Sequence, residues 1–199
     1  MNFKLKNCNV YISYPLLALL TAGAFFNDAN VLFYSLIAAL CHEAGHLFTM
    51  RIFDCMPKSI RFTVFNASIS DSTLCLKSRF KQLLISASGC AVNFLLFFSL
   101  LCFKKFLNTE VLDSLISANL FLGVFNILPV FNLDGGEIFL IVLSGFLTPK
   151  TAESLLKSIS FVILTVLFTI SIIMLINHMY NYSYLITSCY LICLVLLKG

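Results

Sequence analysis

The sequence predicts an all-α polytopic membrane protein. It has about six transmembrane helices, one of them broken at an LDGG motif, and a short membrane-associated β-hairpin between the second and third. Three observations predict this. The 199 residues are 60% hydrophobic and only 11% charged, and the mean hydropathy is +0.98, far from the roughly 25% charged residues of a soluble domain. Six apolar runs approach the ~20 residues that cross a bilayer. Of the 13 basic residues, 11 fall on one side when those runs are threaded alternately, and only Lys104 and Lys105 fall on the other. By the positive-inside rule both termini are then cytoplasmic, in a multi-pass protein of the cell membrane. The net charge of +4 reflects this topology. No basic face with interleaved aromatics points to nucleic acid.

Taken in order, the first run is Val10 to Phe26. Lys4 and Lys6 precede it, as in a signal peptide, but it ends in Phe25, Phe26 and Asn27 without a small-residue cleavage site, so it reads as a retained span. The second run is Ala29 to Phe48. A polar stretch from Asp54 to Lys81 follows, within which "IRFTVFNASIS" is rich in β-branched and aromatic residues and bounded by Pro57 and Asp71, the mark of one or two short strands. The third run is Leu83 to Phe103. The fourth begins at Leu115 and continues past Val130, too long for one straight span, and its middle reads "NILPVFNLDGGEIF". Pro129 and the Gly135–Gly136 pair argue against an unbroken helix there. Irregular backbone at membrane depth is tolerated where it is buried in protein or lines a wet cavity. Runs five and six are Ile159 to Ile176 and Tyr182 to Leu197. The eight cysteines form no C-x-x-C pair and read as reduced, small hydrophobes.

Two of the chain's three histidines sit inside the second apolar run, in "HEAGH". Burying ionisable groups in such a run is costly, and such residues are usually functional. His42 and His46 are four apart and share one helix face, with Glu43 beside them. H-E-x-x-H is the pattern in which two imidazoles hold Zn²⁺ and the glutamate acts as base. With this composition a chance match has odds on the order of one in a thousand. Zinc needs a third protein ligand and an open position. The intramembrane candidates are Asp134, Glu137 and cysteines. Asp134 lies in the break, where the backbone can turn it toward another helix, whereas Glu137 reads as a first-turn glutamate favoured by the helix dipole. Asp134 is therefore the expected third ligand. His178, in the loop between the fifth and sixth runs, reads as an interfacial residue.

"HEAGH" in the second run, "GCAVNF" in the third and "NILPVFNLDGG" in the fourth resemble, in order and spacing, the site-2 protease family of intramembrane zinc metalloproteases. Within it, the "YISYPLLALL" start and the strand segment are similar to the stage IV sporulation protein FB type. The resemblance implies Zn²⁺ held by His42, His46 and Asp134, Glu43 as catalytic base, and Asn126 near the reaction centre. It implies a single membrane metalloprotease domain over 1–199, without a PDZ or nucleotide-sensing domain. It also implies a membrane-tethered protein substrate such as a sporulation sigma-factor precursor, a membrane inhibitor or regulator, and the lipid bilayer as surroundings. The sequence departs from the family pattern where Gly89-Cys90-Ala91-Val92-Asn93 lacks the usual proline, where Asn132 replaces a proline before LDG, and where Tyr14-Pro15 stands for His-Pro. None of these removes a ligand.

The expected mechanism has Glu43 take a proton from the attacking water and pass it to the leaving amine, with Asn126, or less directly Asn93, donating to the oxyanion. His46 and His42 lie roughly 7 to 14 Å along the helix from Arg51, so the site is expected to open toward the cytoplasm. The strand segment from Ile60 to Ser70 could take an extended substrate by β-addition. Three other readings compete. A membrane zincin of another type would favour a downstream helix-borne glutamate ligand. A pseudoprotease would tolerate an altered Glu43. A metal transporter would want ionisable residues on several spans.

Overall fold

The computed structural model describes residues 2–5, 8–12, 29–55, 59–62, 67–70, 78–106, 109–176 and 192. The sixth apolar run apart from residue 192, most of the first, Tyr14–Pro15 and His178 lie outside these residues. The chain divides into two compact units, Met1–Ile127 and Leu128–Gly199.

The first unit holds strands β1 (Asn2–Leu5) and β2 (Cys8–Ile12), helix α1 (Ala29–Ile52), strands β3 (Ser59–Phe62) and β4 (Ala67–Ser70), and helices α2 (Arg79–Lys104) and α3 (Glu110–Asn126). The strands form one four-stranded sheet in the order β1-β2-β3-β4. β1 and β2 pair antiparallel, as do β3 and β4, while β2 and β3 run parallel with Val10 opposite Ile60. β3 and β4 are the two short strands expected of the segment after α1, and they join β1 and β2 in one sheet. One sequence expectation is corrected here. Val10 to Ile12, expected to open the first span, are a strand. Their β-branched and aromatic side chains suit either environment, and the parallel ladder to β3 satisfies their backbone as a span could not at its polar end.

The helices of this unit pack by close backbone approach. A Cβ placed at Gly45 of α1 would meet Val92 Cγ2 at 2.8 Å and Ser88 O at 2.9 Å on α2. At Gly123 of α3 it would touch Phe94 and Asn93 of α2 at 3.3 and 3.4 Å. α1 ends where Asp54 takes a left-handed conformation (φ 53), so that Cys55 N–H turns back to Met50 O at 2.8 Å. Met50, Cys55 and Ile85 bury together there with Leu47 and Phe53. Cys55 is disulfide-bonded, against the expectation of reduced thiols, whereas Cys41 and Cys102 are free.

The second unit holds α4 (Asp134–Leu143) and α5 (Pro149–Ile176), which pack on each other. The long fourth apolar run is thus broken: α3 stops at Asn126, residues 127–133 are irregular, and α4 starts at Asp134. Among the described residues two helical segments are long and apolar enough to cross a membrane, Arg79–Lys104 and Pro149–Met174.

Candidate metal centre

α1 puts His42 and His46 one turn apart on a buried face, 5% and 7% exposed, with Glu43 half-buried beside them. The rings meet edge to face at 78°, centroids 4.8 Å apart, and their Nε2 atoms converge to 3.2 Å. Two nitrogens each ~2.0–2.1 Å from a tetrahedral zinc lie about 3.3 Å apart. The imidazoles are therefore already spaced as a pair of ligands.

The tautomer of His46 is set by α2. Its Nδ1–H donates to the carbonyl of Ile85 at 2.7 Å. Ser88 Oγ lies 3.5 Å from the same nitrogen and donates to the same carbonyl at 2.6 Å. With the proton on Nδ1, the Nε2 lone pair of the neutral ring points into the gap between the histidines. A carbonyl or carboxylate on the far nitrogen is the usual way a metal-binding histidine is oriented and made more basic.

Gly89 of α2 lies against that gap. A Cβ built on it would stand 2.7 Å from His42 Cε1 and Nε2 and would collide with His46 Nε2. Any other residue would fill the space beside the two Nε2 atoms. Gly89→Ala is expected to leave the helices formed, by circular dichroism, and to cost zinc binding at least as much as loss of an outer-shell partner, about 10–100-fold. Zinc titration of the purified variant measures it. Unchanged affinity would show that the imidazoles can give way.

Asp134 is the first residue of α4. Leu133 precedes it in extended conformation (φ −101, ψ 161), and Asn132 before that is left-handed (φ 70). The turn is folded tightly on itself: Val130 O accepts Leu133 N–H at 3.1 Å, and the Val130 carbonyl lies so near Gly136 that a Cβ there would overlap it. This is the physical reason for a glycine two residues after the aspartate. Asp134 is half-buried and Glu137 is exposed.

Asn126 ends α3, and its Nδ2 donates to Leu122 O at 3.1 Å, within its own helix. Asn93 is fully buried, one turn from Gly89 on α2. Among the described residues neither its Oδ1 nor its Nδ2 has a hydrogen-bond partner. A buried carboxamide left so costs free energy on the order of 1–3 kcal/mol per group, which makes it a stronger candidate for chemistry than sequence reasoning allowed. Gly89 was visible in the sequence only as part of "GCAVNF". The Ile85 carbonyl carries no side-chain signal.

Residues 104–167, which include the LDGG segment, match Peptidase family M50. No curated protein matches the chain. The fold is similar to that of the site-2 protease from Methanocaldococcus jannaschii, with a TM-score of 0.71 at 19% identity, over 96% of this chain and 91% of that one. At that identity the likeness bears on architecture alone.

Proposed function

We propose that the protein is an intramembrane zinc metalloprotease that hydrolyses a peptide bond in or near the membrane segment of a membrane-tethered protein. The observation that carries the reading is the pair of buried imidazoles converging at 3.2 Å with His46 oriented by a backbone carbonyl, next to a glutamate in H-E-x-x-H. The match of residues 104–167 to a peptidase family and the shared fold support it. The substrate class follows from the resemblance, which names a sporulation sigma-factor precursor as the candidate.

We assign His42, His46 and Asp134 as the metal ligands. Two neutral nitrogens and one carboxylate suit zinc. Bound there, zinc would supply Lewis acidity toward a water and toward the scissile carbonyl. The chain's own residues do the rest. Glu43 takes the proton of the attacking water and returns it to the leaving amine. Gly89 keeps the reaction volume open. The Ile85 carbonyl holds the proton of His46 on Nδ1. Asn126 has a second amide N–H to give, and Asn93 has both of its own; either can donate to the developing oxyanion. The test is turnover of a membrane-tethered substrate by wild type and Glu43→Gln.

We also place the protein in the membrane, with the site opening to the cytoplasm. Less than a third of each candidate spanning helix is buried inside the protein, unlike the core helix of a soluble domain, and their outward faces carry residues such as Phe98, Phe103, Phe161 and Val166. Such surface is costly in water and at home in lipid. A cysteine scan of the polar stretch from Asp54 to Lys81 in intact cells is expected to find it protected from an impermeant outside thiol reagent. Labelling from outside would invert the topology.

A further inference from the structure

The turn that carries Asp134 is fastened to α5 by one hydroxyl. α5 buries a narrow stripe spaced four residues apart, Ala152, Leu156, Ser160 and Leu164, each at 1% exposure or less. Ser160 is the polar member of that stripe. Its hydroxyl makes two bonds at once: it donates to Leu156 O at 2.6 Å and accepts the backbone N–H of Phe131 at 2.8 Å. The first bond is local and any helical serine can make it. The second crosses to the irregular segment, three residues before Asp134.

Phe131 is held a second time from the same helix. Lys157, one turn before Ser160, places its ammonium 5.6 Å from the centre of the Phe131 ring and pairs with Glu153 at 3.3 Å. On the other side the Val130 carbonyl sits against Gly136 of α4. The left-handed Asn132 lies between these fastenings, and such a backbone persists only where its surroundings hold it. Irregular backbone in an apolar setting must also find a partner for each N–H. Without the Ser160 acceptor, the Phe131 N–H must find another, and the turn must move to reach it.

We propose that Ser160 is a positioning residue for Asp134: its hydroxyl anchors Phe131 so that the following turn presents the carboxylate in the geometry a metal needs. This rests on the assignment of Asp134 as a zinc ligand. Removing the hydroxyl leaves the ligand present and loosens its placement. The expected loss of zinc affinity is about tenfold, the lower end of the effect of outer-shell partners.

The experiment uses the purified full-length chain in detergent, with zinc affinity read by chelator competition and ligand geometry by the visible absorption of bound Co²⁺. Ser160→Ala should lose about tenfold in zinc affinity and change the Co²⁺ spectrum. Ser160→Thr, which restores a hydroxyl, should recover both. Ser171→Ala is the control. That serine is buried on the same helix and donates to its own Leu167 O at 2.7 Å, so its loss should shift thermal unfolding of the metal-free protein comparably without touching zinc affinity. If Ser160→Ala does not fold, Ser160→Cys, close in volume and a poor acceptor, replaces it with the same expectation. Wild-type zinc affinity in Ser160→Ala would overturn the proposal. So would an equal loss in Ser171→Ala, which would make the effect one of general packing. Asp134→Ala separates the two levels: if it binds zinc like wild type, the ligand assignment itself fails, whereas a normal Ser160→Ala beside a defective Asp134→Ala sinks only the anchoring role.

Discussion

Alanine at His42, His46 or Asp134 is expected to abolish cleavage and to strip the purified protein of zinc. The effect should exceed the ~10–100-fold that follows loss of an outer-shell partner, because a first ligand is removed outright. Each position carries a further consequence. His42→Ala and His46→Ala empty volume on a buried face, and His46→Ala also takes a donor from the Ile85 carbonyl, which keeps its bond from Ser88. Asp134→Ala removes a half-buried carboxylate at a helix start. Zinc that binds the folded chain at a thousand times its Kd stabilises it by about 4 kcal/mol. The thermal shift on adding zinc should therefore collapse in all three variants. Zinc per chain by elemental analysis and the shift in melting temperature check this. Glu137 is the internal control: it is exposed and its alanine variant should keep zinc. Full retention in Asp134→Ala together with loss in Glu137→Ala would move the third ligand by one turn.

The pairing of His42 with His46 was legible in the sequence, and the backbone groups around them were not. The i, i+4 spacing of His42 and His46 on an apolar helix is a local fact, and the structure brings their Nε2 atoms together as that spacing requires. The break in the fourth run was announced by Pro129 and falls at 127–133, whereas Gly135 and Gly136, also expected to interrupt the helix, lie within α4, where the Val130 carbonyl packs against Gly136. What could not be read are groups whose role depends on a partner far along the chain. The Ile85 carbonyl orients His46 from 39 residues away, and a carbonyl looks the same at every position. Gly89 matters because of what stands opposite it, and Ser160 looks like any serine in a membrane-type helix until its partner is known. The N-terminal strands were missed for a different reason: Val10, Tyr11 and Ile12 are apolar, and an apolar strand of five residues cannot be told from the start of a span by hydropathy alone.

Glu43→Gln is expected to separate an enzyme from a binder. The substitution keeps size and hydrogen-bonding capacity but removes the ability to take a proton from the attacking water. Glu43 is half-buried on α1, and His46 is oriented by the Ile85 carbonyl rather than by this carboxylate. Folding and zinc content should therefore stay near wild type, unlike in the ligand variants. General base catalysis contributes typically about 10²–10⁴-fold, and turnover should fall at least that far. Because neither the substrate path nor the metal is altered, the substrate still docks, and the variant should hold uncleaved precursor long enough to be captured by crosslinking or co-purification. The measurement is single-turnover cleavage of a membrane-tethered substrate alongside zinc content and precursor capture for wild type and variant. A protein that only binds membrane partners would capture the precursor equally as wild type and as Glu43→Gln, and would cleave it in neither form. Equal processing by wild type and Glu43→Gln would remove the glutamate from the mechanism, and with it the reason an ionisable side chain is kept between His42 and His46 in an apolar helix.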